Sequence, residues 1–201
     1  SKDNILRADT SLEKLATLKP AFDKRSGKGT LTAGNSTNLS DGASVALLSS
    51  EQWATEHNKE IQAYLVDAQV AAVDFVGGDG LLMAPAWAVA QLLKRNNLSL
   101  QDFDFYEIHE AFAAQVLCTL KAWESEEFCK EKLGMDNALG SIDRSKLNVV
   151  GSSLALGHPF AATGARIVAT AAKLLKEKGQ GRVLISICTA GGMGVAAIVE
   201  R

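Results

Sequence analysis

Apolar and polar positions along the chain fall into short blocks with two different periods. From Thr10 to Lys19 the apolar residues Leu12, Leu15, Ala16 and Leu18 recur at helical spacing. Thr10 with Glu13 reads as a capping box, and Pro20 with the turn residues Asp23 to Gly29 ends the helix. Gly34 to Gly42 is a polar loop of small residues between Thr30-Leu31-Thr32 and the apolar run Ala43 to Leu48. A helix over Ser50–Asn58 follows, with Glu51, Glu56 and His57 toward solvent. Ile61 to Val76 is strand-like, Gly77 to Gly80 a loop, and Met83 to Arg95 a helix stopped at Asn96-Asn97. Phe103–Ile108 is a strand feeding a helix from Glu110, with Phe112, Val116, Leu120 and Trp123 near one stripe. Glu124 to Lys146 is charged and reads as a surface excursion, with Cys118 and Cys129 as bystanders.

From Asn148 the pattern predicts a short strand, a Gly/Ser loop, and then His158-Pro159 opening a helix, since proline suits a first helical position. Arg166 is the only charge between Phe160 and Ala172, so this helix is expected to be buried on nearly every face. Gly179 stops it. Arg182–Cys188 is a continuous apolar strand, and Thr189 to Gly194 turns the chain into a final strand, Val195–Val199. Strands alternating with helices make this an α/β chain.

Composition narrows the function classes. The 201 residues carry a net charge of −2 with 47% hydrophobic residues, ordinary for a globular protein. No basic run or RNA-binding aromatic motif points to nucleic acid. The apolar stretches are too short to span a membrane, and the N-terminus shows no signal-peptide pattern, so the cytoplasm or an organelle matrix is expected. Three irregularly spaced cysteines form neither a disulfide framework nor a zinc site. Residues 1–28 cannot build a core of their own and read as the tail of a neighbouring domain. With Ser1 in place of an initiator methionine, the chain is expected to be a fragment or a processed product.

Three groups could carry chemistry. His158 at a helix start would be kept neutral by the helix dipole, able to accept a proton or to face an oxyanion; a plain helix-capping histidine is the alternative. His109 lies at a strand-to-helix junction, where open α/β sheets place ligands. Cys188 ends a strand before a turn with free N–H groups, although alone such a cysteine is more often a core residue. The small residues of Gly34–Gly42 would let a ligand approach the backbone, or form an ordinary turn.

Together, His109-Glu110-Ala111-Phe112, Gly157-His158-Pro159 and Cys188-Thr189-Ala190-Gly191-Gly192-Met193-Gly194 resemble the C-terminal part of a thiolase, the family that makes or cleaves 3-ketoacyl-CoA. The Gly34–Gly42 loop is similar to the family's loop beside the CoA pantetheine, and the resemblance runs through nearly the whole chain.

The resemblance implies roles position by position. His158 would activate the nucleophilic cysteine and help bind the thioester oxygen. Cys188 would move a proton at the substrate α-carbon and activate the incoming CoA thiol. The Ala190 N–H would help hold the acyl-enzyme oxyanion. His109 stands where many thiolases have an asparagine that anchors an oxyanion-hole water; the His-Glu-Ala-Phe form resembles the branch associated with fatty-acid β-oxidation. Thr37, Ala111 and Phe112 would line the acyl-CoA groove. Ser152 and Ala161 replace frequent glycines. The family's nucleophile belongs to its N-terminal half, and none of Cys118, Cys129 or Cys188 stands in that context.

The implied fold is a layered αβαβα arrangement of two similar halves, with the C-terminal half complete here and the N-terminal half only partly present. Residues 1–28 would end the lid region, 29–60 would give the last strand and helix of the first half, and 61–201 the C-terminal domain. The implied activity is reversible CoA-dependent cleavage of 3-ketoacyl-CoA, with no permanently bound cofactor or metal and with coenzyme A or acyl-CoA as substrate. The implied partners are the missing N-terminal half, further copies in a homodimer or homotetramer, and a β-oxidation partner subunit. A non-catalytic acyl-CoA-binding or assembly protein and a ketoacyl-synthase relative are the alternatives.

Overall fold

The computed structural model describes residues 5–201; positions 1–4 of the N-terminal segment lie outside the described residues. Four strands form one mixed sheet in the order β1-β4-β3-β2: β1 Tyr64–Ala72, β2 Phe105–Ile108, β3 Arg182–Thr189 and β4 Met193–Glu200. β3 and β4 are an antiparallel hairpin, β1 adds antiparallel to β4, and β2 runs parallel to β3 with Ile108 opposite Ser186. The parallel pair aligns the ends of β2 and β3, so His109 and Cys188 emerge at the same edge of the sheet.

Alternation along β2 and β3 splits the interior in two. Tyr106, Ile108 and Leu184 face a core shared with the helices α3 (Ala84–Asn96) and α4 (Ala113–Glu124). Val183 and Ile185 face Ile167, Ala171 and Leu175 of the helix α7 (Ala161–Lys178). The result is a helix–sheet–helix sandwich. α3 starts with Pro85 in its first turn and ends on Asn97 in the left-handed region, and α7 stops at Gly179 (φ 93°), where a left-handed residue ends the ladder without a Cβ penalty.

Several expectations are corrected. The first helix, α1, spans only Leu12–Ala16, and its cap is Ser11, whose side chain accepts from the Lys14 N–H; Thr10 instead donates to the Arg7 carbonyl. The run 43–48 forms no strand: among the described residues no neighbouring strand pairs with it, and Val45 is 88% exposed. The helix after it, α2, covers Glu51–Glu56 with Ser50 as its cap. The Glu124–Lys146 excursion carries a short helix, α5 (Glu126–Glu131), and it is not purely superficial. Cys129 and Ile142 are buried in it, and Phe128 packs on the first core.

Asn148 to Val150 is a turn rather than a strand, and a one-turn helix, α6 (Ser153–Leu156), precedes Gly157. Helix α7 begins at Ala161, so His158 and Pro159 lie ahead of it, and the cap is Phe160 with a strained φ of 37°. Nor is α7 buried all round. Its sheet-facing side is buried, whereas Ala161, Ala169 and Lys173 face solvent, because among the described residues one sheet covers one side of it. No described helix is long and apolar enough to cross a membrane.

Candidate active site

His109 is set by the end of β2. Its backbone N–H donates to the Ser186 carbonyl at 2.9 Å, continuing the β2–β3 pairing by one residue. On the open side of β2, the side chain of Asn148 stands in for a further strand. Its Oδ1 accepts from the Ile108 N–H, and its Nδ2 donates to the Ile108 carbonyl, both at 2.9 Å, and to Glu110 Oε1 at 2.7 Å. Glu110 Oε2 accepts from the Leu154 N–H at 3.1 Å, which ties the junction to α6. Asn148 has φ 46°, a conformation asparagine tolerates better than most residues.

The loop 35–39 is threaded between this junction and the stretch before α7. The Thr37 N–H donates to the Ala111 carbonyl at 2.9 Å and the Ala113 N–H to the Asn35 carbonyl at 2.9 Å, with Ser36 bridged to Phe112. Thr37 Oγ1 donates to the Ser153 carbonyl at 2.6 Å, and the His158 N–H donates to the Asn38 carbonyl at 2.8 Å. Thr37, Ala111 and Phe112 are therefore brought together as one wall. The small residues of the loop are used at least partly by the chain itself: a Cβ on Gly34 would meet Leu15 at 2.5 Å, and one on Gly42 would meet Pro159 at 2.8 Å. Gly157 combines φ 90° with Ser40 Oγ 2.5 Å from where a Cβ would stand, so no other residue fits before His158.

The two imidazoles meet. The rings of His109 and His158 pack at 4.4 Å between centroids, and the exposed Phe160 ring lies 4.9 Å from His158. Behind them, His109 Nδ1 is 2.8 Å from Ser153 Oγ, and His158 Nδ1 is 2.7 Å from Thr163 Oγ1. Burial, then the neighbouring His158 and the Arg166 guanidinium, push His109 down to about 4. Burial and Arg166 also hold His158 below its ordinary value. Both rings are neutral at pH 7.

Cys188 is buried, and burial pushes its thiol up to about 11, opposed by hydrogen bonds from its own backbone N–H and that of Ala111. Ala111 thus touches the thiol two residues after His109, which links all three groups. Ala190 lies beyond Thr189 in the exposed turn, and no hydrogen bond among the described residues joins it to either imidazole. Cys118 is exposed on α4, and Cys129 is buried on α5, where its thiol points to the Ala122 and Trp123 carbonyls. His57 is exposed and stacked on Trp53.

Several contributors carry no signal in the sequence pattern. Asn148, Ser153 and Thr163 act through contacts that only the folded chain creates, and Glu110, although part of a motif, does so too. Glu107 is fully buried on the α7 side of β2 with neither carboxylate oxygen hydrogen-bonded among the described residues. Burial pushes it up to about 7; attraction to Arg166 works against that shift and Glu110 adds to it. In the sequence, Arg166 stands out as the lone charge of the α7 apolar run. Among the described residues, no group of three or more His, Cys, Asp or Glu side chains could hold a metal ion.

Comparison with known proteins matches this chain to a family. The family described as "Thiolase, C-terminal domain" matches residues 59–201, and "Thiolase, N-terminal domain" matches residues 1–52. The 3-ketoacyl-CoA thiolases of Shewanella loihica and Shewanella baltica are each 46% identical over 199 residues, 99% of this chain and 45% of the relative. Among solved structures, a Bacillus anthracis acetyl-CoA acetyltransferase superposes with a TM-score of 0.80 at 40% identity, covering 99% of this chain and 45% of the other. Human mitochondrial 3-ketoacyl-CoA thiolase superposes with a TM-score of 0.77 at 33% identity, covering 98% and 44%. The chain spans a little under half the length of these relatives. Matched along nearly its whole length in both sequence and fold, the chain belongs to the thiolase family.

Proposed function

We propose that the chain is the second-half portion of a working thiolase. Together with a companion first half that brings the nucleophilic cysteine, it cleaves a 3-ketoacyl-CoA with CoA to give acetyl-CoA and a shortened acyl-CoA, and runs the reverse condensation. The observation that carries this reading is the convergence of two neutral imidazoles with a buried, protonated thiol.

The chemistry divides among these groups. His158, neutral and next to Thr163, takes the proton of the companion's cysteine, whose thiolate attacks the C3 carbonyl. An N–H of His109 faces the oxygen on which charge develops. The C2–C3 bond breaks, and the carbanion at C2 takes the proton of Cys188, releasing acetyl-CoA. The high affinity of the buried thiol for its proton means that it starts as the acid this step needs. The resulting thiolate, held by the Ala111 N–H, then removes the proton of the incoming CoA thiol, which attacks the acyl-cysteine with the Ala190 N–H at the oxyanion. The acyl–cysteine bond breaks, and the companion's cysteine leaves as a thiolate that takes its proton back from His158, so His158 and Cys188 both end as they began. No permanently bound cofactor takes part, and coenzyme A is a substrate.

In this reading residues 1–28 end the lid, 29–60 complete the first half by adding the run 43–48 to its sheet, and 61–201 form the second domain. Thr37, Ala111 and Phe112 line the acyl-CoA groove. The assembled enzyme is a homodimer or homotetramer, works in the cytoplasm or an organelle matrix, and serves β-oxidation with a partner subunit. The test is thiolysis of acetoacetyl-CoA by the chain combined with a thiolase first half. CoA-dependent loss of substrate that disappears in His158→Ala supports the reading. Tight CoA binding without turnover would favour a non-catalytic acyl-CoA-binding protein instead.

A further inference from the structure

The two imidazoles are supported differently, and the difference assigns their protons. Ser153 Oγ stands 2.8 Å from His109 Nδ1 and also accepts a hydrogen bond from Arg166 Nη2 at 3.0 Å. A guanidinium can only donate, so it occupies a lone pair of that oxygen. A hydroxyl polarised by a cationic donor is a poorer acceptor and a better donor for its second contact. Its single proton is then directed at Nδ1, and the imidazole proton resides on Nε2. Among the described residues no cation bonds Thr163 beside His158: its hydroxyl can donate or accept, so His158 can change tautomer.

We propose that Arg166, acting through Ser153, is a positioning residue that pins His109 as a neutral Nε2–H donor while leaving His158 free to act as the base. The consequence for turnover rests on the thiolase reading above; the tautomer assignment does not. The arrangement around Arg166 fits this task. Its Nε and Nη1 are buried without hydrogen-bond partners among the described residues, so its one hydrogen bond goes to Ser153. Glu107, buried on the same side of the sheet, attracts the guanidinium without forming a direct ion pair. Arg166 also works against protonation of both imidazoles.

The experiment is long-range ¹H–¹⁵N correlation of the histidine side chains in the ¹⁵N-labelled protein between pH 5 and 8. The chain holds three histidines, and His57→Gln removes one to aid assignment. Wild-type His109 is expected as a single Nε2–H tautomer. Ser153→Ala and Arg166→Met should each bring up Nδ1–H signal at His109, while Ser153→Thr, which keeps the hydroxyl, should restore the wild-type pattern. In the protein assembled with its first half, Ser153→Ala should lower kcat about tenfold with little change in KM, short of the roughly 10²–10³ of losing an oxyanion donor outright. A wild-type His109 protonated on Nδ1 overturns the proposal before any variant is made. So does an unmixed Nε2–H spectrum in Ser153→Ala, which decides the matter even if Arg166→Met does not fold. An assembled protein with no thiolysis would remove the functional reading and leave the tautomer result standing.

Discussion

His109 and His158 hold their rings 4.4 Å apart and inclined at 48°, one from the end of β2 and the other from the loop ahead of α7. Two imidazolium ions at that distance would repel, and burial opposes even one. The pair is therefore built to stay neutral, and each ring can be tested through what replaces it.

His109→Asn puts a hydrogen-bond donor back at the position where many thiolases carry asparagine, whereas His109→Ala leaves none. In the assembled enzyme His109→Ala should lose roughly 10²–10³ in kcat, the usual cost of one oxyanion donor. His109→Asn should retain more. Equal rates for the two variants would mean that His109 only packs.

Cys188→Ala should separate the two halves of the reaction. The companion's nucleophile should still be acylated, detectable by mass spectrometry, while turnover falls about 10²–10⁴, the range for losing a general acid–base group. Wild-type turnover in Cys188→Ala would rule out the proton-transfer role.

Glu107 makes a pH prediction whose sign follows from its direction of shift. Its folded value, about 7, lies above the ordinary 4.5, so between these values the folded chain holds a proton that the unfolded chain has lost. Its contribution to stability is present below 4.5 and lost as pH rises through 7. Glu107→Gln removes this dependence. The stability of Glu107→Gln relative to wild type should rise with pH across that window, by at most about tenfold in the folding constant per pH unit, and level off above it. Urea melts at pH 4.5, 6 and 8 would show this; a flat difference would mean that Glu107 ionises as freely as in the unfolded chain.

Gly157→Ala should be costly where Gly134→Ala is mild. Gly134 has φ 63° with nothing near its missing Cβ, so alanine there costs only the left-handed backbone, about 1 kcal/mol. At Gly157 the Cβ also meets Ser40, adding roughly 1–3 kcal/mol of overpacking and pushing the 38–40 loop off His158. Thermal melts of both variants test the order.

The chain alone should not turn over substrate, because covalent catalysis needs an activated nucleophile. Of its cysteines, Cys118 is exposed on α4, Cys129 is buried on α5, and the proposed mechanism uses Cys188 for proton transfer. A sample shown by mass spectrometry to contain only Ser1–Arg201, yet cleaving acetoacetyl-CoA at thiolase rates, would sink this expectation.

Periodicity recovered the elements that stabilise themselves within this chain: α3, α4, α7 and the β3–β4 hairpin lie close to where the sequence puts them. It failed where a partner decides the outcome. The run 43–48 has a strand's composition but no neighbouring strand, and α7 has a buried helix's composition but one covered side. Local rules also misjudged the approach to α7, since Pro159 suits a first turn while the bridge from His158 to Leu39 keeps the chain extended there. The motifs pointed to His109, His158 and Cys188. The groups behind them stayed hidden because Ser153 and Asn148 gain their importance from residues far away in sequence.

Thr163 and Arg166 lie about one turn apart on α7, and each supports a different imidazole, the first directly and the second through Ser153. A single rigid rod thus serves as the common ruler for both rings. Sliding or rotating it against the sheet, at the contact of Ile167 and Ala171 with Val183 and Ile185, would detune both histidines at once. Enlarging a residue such as Ala171 should therefore misalign the chemistry well before it unfolds the sandwich.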